Sequence, residues 1–220
     1  MKGARPARTS GGIAVAIAAA VVLALSGQGM VKGSWVGVGL AGLGFVLFGR
    51  DRGERPAELA GALLCLGAIA GFIGTTPALS EIVQLLPGLI GLLVLAGALV
   101  PIHGQRSRAL VKAGAAGLFT SVVLAGLFRA VGLWLLLAAG VGVIVAWDAS
   151  EHAIGVGEQL GEVASSWRCE LPHVAATVGV GIVGVVATVA MHRFGSDDLS
   201  LSAFLMLCLA MLLLTAAIRS

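Results

Sequence analysis

Glu151, His152, Glu158, Glu170 and His173 are the residues of this chain best suited to chemistry. Carboxylates and imidazoles ligate metals and move protons. All five stand between Trp147 and His173, in the stretch WDASEHAIGVGEQLGEVASSWRCELPH. It is the longest polar interruption in an otherwise apolar sequence, and it holds five of the eleven acidic residues: Asp148, Glu151, Glu158, Glu162 and Glu170. The order matches neither HExxH nor a pair of ExxH motifs. Glu170 and His173 are three apart, but that pair occurs once and has Pro172 between its members. No Ser/His/Asp set or phosphate loop appears, and the glycines around Gly37 lack the strand and acidic partner of a dinucleotide site. Cys65, Cys169 and Cys208 are far apart and form no CxxC. Neither a metal centre nor a disulfide framework is expected, and the reading is of a protein that is not an enzyme and carries no cofactor.

The pattern of the stretch points to docking. Wound as a helix at about 100° per residue, it places Ala149, Ala153, Val156, Leu160, Val163 and Trp167 on one stripe. Asp148, Glu151, Glu158 and Glu162 fall opposite. This predicts an amphipathic helix over 148–172, either continuing the preceding span or lying along the membrane surface. Pro172 marks its latest end, because the residue before a proline disfavours helical geometry. An anionic inner leaflet would repel the acidic side. Asp148, Glu151, Glu158 and Glu162 are therefore the candidate partner-docking face.

The elements that position this stretch are membrane spans. The chain has 220 residues, is 58% hydrophobic, and has only 11% charged residues against about 25% in soluble domains. Its mean hydropathy is +1.03. The formal charge of +3 comes with no basic stripe interleaved with aromatics, which argues against a nucleic-acid partner. Apolar runs predict eight spans, at about 11–26, 33–49, 59–75, 82–102, 109–128, 130–147, 174–191 and 199–218. Lipid requires backbone groups to be paired internally, which leaves helices or closed barrels. Runs such as LLVLAGALV lack the alternation of a barrel strand. The expected fold is all-α: one integral domain, a polytopic transmembrane helical bundle with one cytoplasmic amphipathic helix.

Arg50 to Pro56, Thr75 to Pro77 and Pro101 to Arg108 mark joints, and Pro87 predicts a kink inside the fourth span. The first run resembles a signal peptide but reads better as an uncleaved span, since more membrane follows it. The two halves share a rhythm of short, long and short connections, as a duplicated four-helix unit would. No span carries a carboxylate near its centre, which weighs against proton coupling. Gln84, Thr120, Ser121 and Thr177 are the notable polar residues in depth. The hydroxyls need no ligand, because they can bond the preceding helical turn.

Threading eight spans from a cytoplasmic N-terminus puts eleven basic residues inside: Lys2, Arg5, Arg8, Arg50, Arg52, Arg55, Arg106, Arg108, Lys112, Arg168 and Arg219. Only Lys32, Arg129 and Arg193 fall outside. The positive-inside rule then makes both termini and the 147–173 stretch cytoplasmic, in a multi-pass protein of the cell membrane. Trp35 and Trp134 fall near the outer interface, where anchoring suffices to explain them.

At Trp147, Asp148, Glu151, Gly155, Gly157, Glu158, Gln159, Leu160, Gly161, Glu170, Leu171 and His173 the sequence resembles a family of haloarchaeal multi-pass membrane proteins of uncharacterised function. The resemblance implies a gene neighbourhood containing MoxR-type AAA ATPases and a von Willebrand-like protein, hence a partner in an assembly or maturation system. The expected role is a non-enzymatic membrane component or scaffold, embedded in the lipid bilayer and docking a cytoplasmic partner. The alternative is a small-solute transporter or channel made of two four-helix halves. The threading is open to a direct check. In a cysteine-free background, Ser34→Cys and Ser196→Cys should react with an impermeant maleimide added to intact cells. Ser165→Cys should react only after lysis, and its labelling in intact cells would reverse the orientation.

Overall fold

A computed structural model of the chain describes residues 8–27, 30–99, 105–128, 131–160 and 167–194. These form seven helices: α1 (Arg8–Ser26), α2 (Met30–Arg52), α3 (Arg55–Thr75), α4 (Leu79–Ala98), α5 (Gln105–Phe128), α6 (Leu133–Leu160) and α7 (Trp167–Phe194). Each is long and apolar enough to cross a membrane, and no strand occurs among the described residues. The fold class is thus all-helical and membrane-compatible. The expected eighth span, 199–218, and with it the duplication, lies outside the described residues. Two compact units are distinguished, residues 1–181 and 182–220. The first holds α1 to α6 and the first half of α7. Of the second, the end of α7 is described, with Ile182, Val183 and Val186 exposed as on a lipid-facing helix.

Local signals place the joints. Gly53 follows α2 with φ 70°, a left-handed conformation that glycine adopts without a Cβ penalty. Pro56 then stands in the first turn of α3, where its missing N–H costs nothing. Gly27 ends α1 in the same way, with φ 71°. At Pro87 the backbone stays helical, and α4 runs on to Ala98.

Neighbouring helices run antiparallel and approach through glycines. A Cβ at Gly42 on α2 would lie 2.8 Å from the Gly61 oxygen of α3. One at Gly91 on α4 would lie 2.6 Å from the Gly114 oxygen and 2.7 Å from the Leu118 nitrogen of α5. Lipid tails are as apolar as leucine, so helix association there depends on close van der Waals packing, which small residues permit. The Trp35 ring of α2 packs against Gly71 of α3, and its Nε1 donates to Thr75 Oγ1 at 2.9 Å. Trp35 therefore joins two helices besides any anchoring role.

α1 lies at the centre of the first unit. Ala14, Ala18, Val21, Val22 and Leu25 are buried, with Leu85, Leu89, Leu92 and Leu95 of α4 and Leu118 of α5 in the same core. Gly11 of α1 faces Leu99 and Ala153, and Gly142 of α6 faces Val21 and Ile17. This alternation brings the starts of α1, α5 and α7 and the ends of α4 and α6 to one end of the unit. Gly91→Ala should overpack the α4–α5 contact and destabilise the protein by about 1–3 kcal/mol. Gly97→Ala, where nothing lies within 4 Å of an added Cβ, should leave stability unchanged or slightly raised. Thermal unfolding of the two variants in one detergent compares them directly.

Candidate functional site

The polar stretch is built differently from a single surface helix. Residues 148–160 continue α6 without a break, as one of the two expected placements had it. The chain is helical again from Trp167, and Pro172 lies inside α7 instead of ending a helix. Only about one turn precedes Pro172, so the bond it removes lies near the helix start, where few are at stake. Glu162 and Val163 lie outside the described residues.

Among the described residues of the stretch Glu170 is the most buried acid, at 1% exposure. Its Oε2 accepts the Ser10 main-chain N–H and the Ser10 hydroxyl, each at 2.6 Å. Ser10 is the third residue of α1, so its N–H is one of the four that a helix start leaves without an internal partner. A carboxylate from α7 thus caps α1, where the helix dipole favours negative charge. Glu170 also sits in the first turn of its own helix, which favours it for the same reason. The sequence treats Glu170 as part of a solvated polar run, yet it is a buried tie between helices 160 residues apart. No local signal in the sequence names Ser10 as its partner, because the two lie 160 positions apart.

Asp148 and His173 form the second tie. Asp148 Oδ2 lies 3.0 Å from His173 Nε2 and accepts the Thr177 hydroxyl at 2.6 Å. His152 of α6 stacks on His173, with ring centroids 4.0 Å apart and planes 14° from parallel. Residues 148 and 152 are one turn apart on α6, and 173 and 177 one turn apart on α7, so two antiparallel turns face each other. The preceding helical turn is one partner open to the Thr177 hydroxyl. It keeps a 3.2 Å contact to the His173 oxygen, but the shorter bond crosses to α6. Thr120 does bond its preceding turn, donating to Ala116, whereas Ser121 donates across to the Gln84 main-chain oxygen of α4.

Glu151 and Glu158 point to α5. Arg108 lies 2.7 Å from Glu158 and 3.7 Å from Glu151. Arg108 and Glu158 stay about two-fifths exposed, at 43% and 41%. On the opposite side of α6, Ala149 and Ala153 are fully buried and Val156 is half-buried. Of the residues on the apolar stripe, Ala149 and Ala153 thus pack into the protein. Of the proposed docking face, Asp148 is taken up by α7 and Glu151 and Glu158 share Arg108; among its described residues Glu158 is the most open to solvent.

Chemically the arrangement is a set of interhelical ties. Among the described residues no three His, Cys, Asp or Glu side chains are grouped to hold a metal ion. Two groups at the site, Glu151 Oε1 and His152 Nε2, are buried without a hydrogen-bond partner.

A family model described as a family of unknown function (DUF7519) matches residues 54–215 of the chain. No curated protein and no solved structure matches it.

The two kinds of contact predict unequal costs. Glu170→Leu would strip the cap from α1 and leave Ser10 unpaired in a buried place. Hydrogen bonds to charged groups are worth about 1.5–3 kcal/mol, and a loss of at least that size is expected. Glu158→Gln breaks an exposed ion pair and should cost no more than about 1 kcal/mol. Melting temperatures of the two purified variants test the ranking.

Proposed function

We propose that this chain, which belongs to the DUF7519 family, is a non-enzymatic integral membrane component that presents the projecting end of α6 to a cytoplasmic partner. The observation that carries this reading is the length of α6. It runs unbroken for 28 residues, about 42 Å at 1.5 Å per residue, whereas a bilayer core is about 30 Å thick. With Trp134 at the outer interface, the last two turns stand clear of the hydrocarbon. They carry Glu158, exposed and braced by Arg108 from α5.

The cytoplasmic placement rests on the bias of basic residues, eleven against three. In support, Arg50, Arg52 and Arg55 occupy the α2–α3 turn and Arg108 and Lys112 the start of α5. By the antiparallel order of the helices these fall on the same side as the end of α6. The ties from Glu170 and Asp148 hold the end of α6 and the starts of α1 and α7 in one arrangement, so a partner would meet a preorganised surface. The resemblance to proteins encoded beside AAA ATPases makes such an assembly a reasonable partner. The acidic surface proposed is narrower than the sequence implied: Asp148 is taken up by α7, which leaves Glu158 and Glu151 among the described residues.

The test replaces Glu151, Glu158 and Glu162 with Gln together. Insertion should be normal and the melting temperature should stay close to wild type, while co-purifying protein from native membranes is lost. Retention of every partner by the triple variant would overturn the docking reading and leave Glu151 and Glu158 with the role of pairing Arg108. Transport, the alternative, would show as solute flux in proteoliposomes holding the purified protein alone.

A further inference from the structure

His152 of α6 and His173 of α7 face each other as stacked rings, with centroids 4.0 Å apart and planes 14° from parallel. In such a stack neither ring donates to the other, so their nitrogens depend on what lies around them. His173 Nε2 lies 3.0 Å from Asp148 Oδ2, which supplies a counter-charge for a proton on that ring. His152 Nε2 is buried and has no hydrogen-bond partner. A fully protonated ring at 152 would leave that N–H without an acceptor.

The charged and titratable groups around the stack come from four helices. α6 brings Asp148 and Glu151, and α7 brings Glu170. α5 brings Arg108, which lies 3.7 Å from Glu151. α1 brings Ser10, which does not titrate and already holds Glu170 Oε2. His152 is about 28 Å along α6 from Leu133, at the edge of a core about 30 Å thick. His173 is 41% exposed, so protons reach the pair from solvent.

We propose that the stacked His152–His173 pair is a proton-operated latch between α6 and α7, closed while the two rings share at most one proton and opened when both are protonated. The first proton is matched by Asp148. The second sets two like charges face to face and leaves the His152 N–H unanswered, so the two titrations are coupled. Separation lets water solvate both rings. Little opposes the movement, because Leu171 and Val180 of α7 are exposed and α7 next touches α6 where Gly181 meets Val141. The Glu170–Ser10 tie is separate from the stack, and α7 pivots about it. Opening takes up a proton. The closed form therefore prevails above the ordinary histidine range, about pH 6.5, and loses ground as the pH falls below it. The end of α6 then loses its brace from α7 and keeps Arg108 of α5.

The experiment uses the full chain in lipid nanodiscs, with Cys65, Cys169 and Cys208 replaced by Ala. Ile144→Cys on α6 and Val180→Cys on α7, both exposed, take spin labels for pulsed EPR distances. One short distance is expected at about pH 8, joined by a longer one below about pH 6.5. The ratio of long to short should rise by up to about tenfold per pH unit, the slope of one proton taken up. His152→Phe keeps a ring against His173 and cannot take a proton, so it should hold the short distance down to about pH 5. His152→Gln, smaller and also uncharged, carries the same expectation where the larger ring does not fold. A distance that stays fixed from about pH 8 to pH 5 with both histidines present would overturn the proposal. So would an acid-driven opening that persists in either folded variant, since it would come from another group.

Discussion

A carboxylate can be buried in an apolar bundle only if donors are already waiting for it. Glu170 meets that condition because α1 begins beside it, offering the Ser10 N–H and hydroxyl at 2.6 Å. The helix start gains a cap and the carboxylate gains its solvation. Neither group would be stable in that place alone. The contact ties the starts of α1 and α7 together, and α1 is the helix whose Ala14, Ala18 and Leu25 fill the middle of the core. The positions of Asp148 against Thr177 and of His152 against His173 follow from the same register.

Glycine has a complementary task. Where α4 meets α5 at Gly91 and Gly114, and α2 meets α3 at Gly42 and Gly61, main-chain atoms approach more closely than any side chain allows. In lipid this packing replaces the hydrophobic drive that would assemble a soluble core. The α2–α3 and α4–α5 hairpins thus rest on shape, while the charged end rests on paired polar groups. A chain with 33 glycines in 220 residues would otherwise lose helix stability at about 1 kcal/mol per glycine. Close contact offsets that cost where the glycines meet.

The polar ties bear on the rigidity of the end of α6. An amphipathic helix lying on a membrane moves with the lipid; the end of α6 is instead part of a span braced by α5 and α7. Arg108 and Glu158 are open to water, so their attraction is weak, and a competing charge can displace one partner with little loss. Asp148 has a short bond to the Thr177 hydroxyl with His173 beside it, and Glu170 takes both the N–H and the hydroxyl of Ser10, so these two suit holding more than exchange. The same stretch therefore combines a fixed base with an exchangeable tip.

Composition and hydropathy determined the class of this protein: apolar runs near twenty residues long in a chain with few charges have helices as their workable form in lipid. Breakers such as Gly53 and Pro56 located a joint to within a few residues, because their backbone preferences are local. The length of α6 was half legible, since a helical period continues through Asp148 and Glu158 whether or not lipid surrounds it. What the period could not assign was the neighbour of each side. The seven described helices, each apolar enough to span, leave their packing order open to the sequence, and a side chain pointing away from an apolar stripe can meet water, an arginine or another helix start. Only the tertiary structure brought Ser10 to Glu170, Thr177 to Asp148 and Ser121 to Gln84. Each pair joins residues at least 29 positions apart, and contacts at that range depend on which helices lie side by side, which no local preference records.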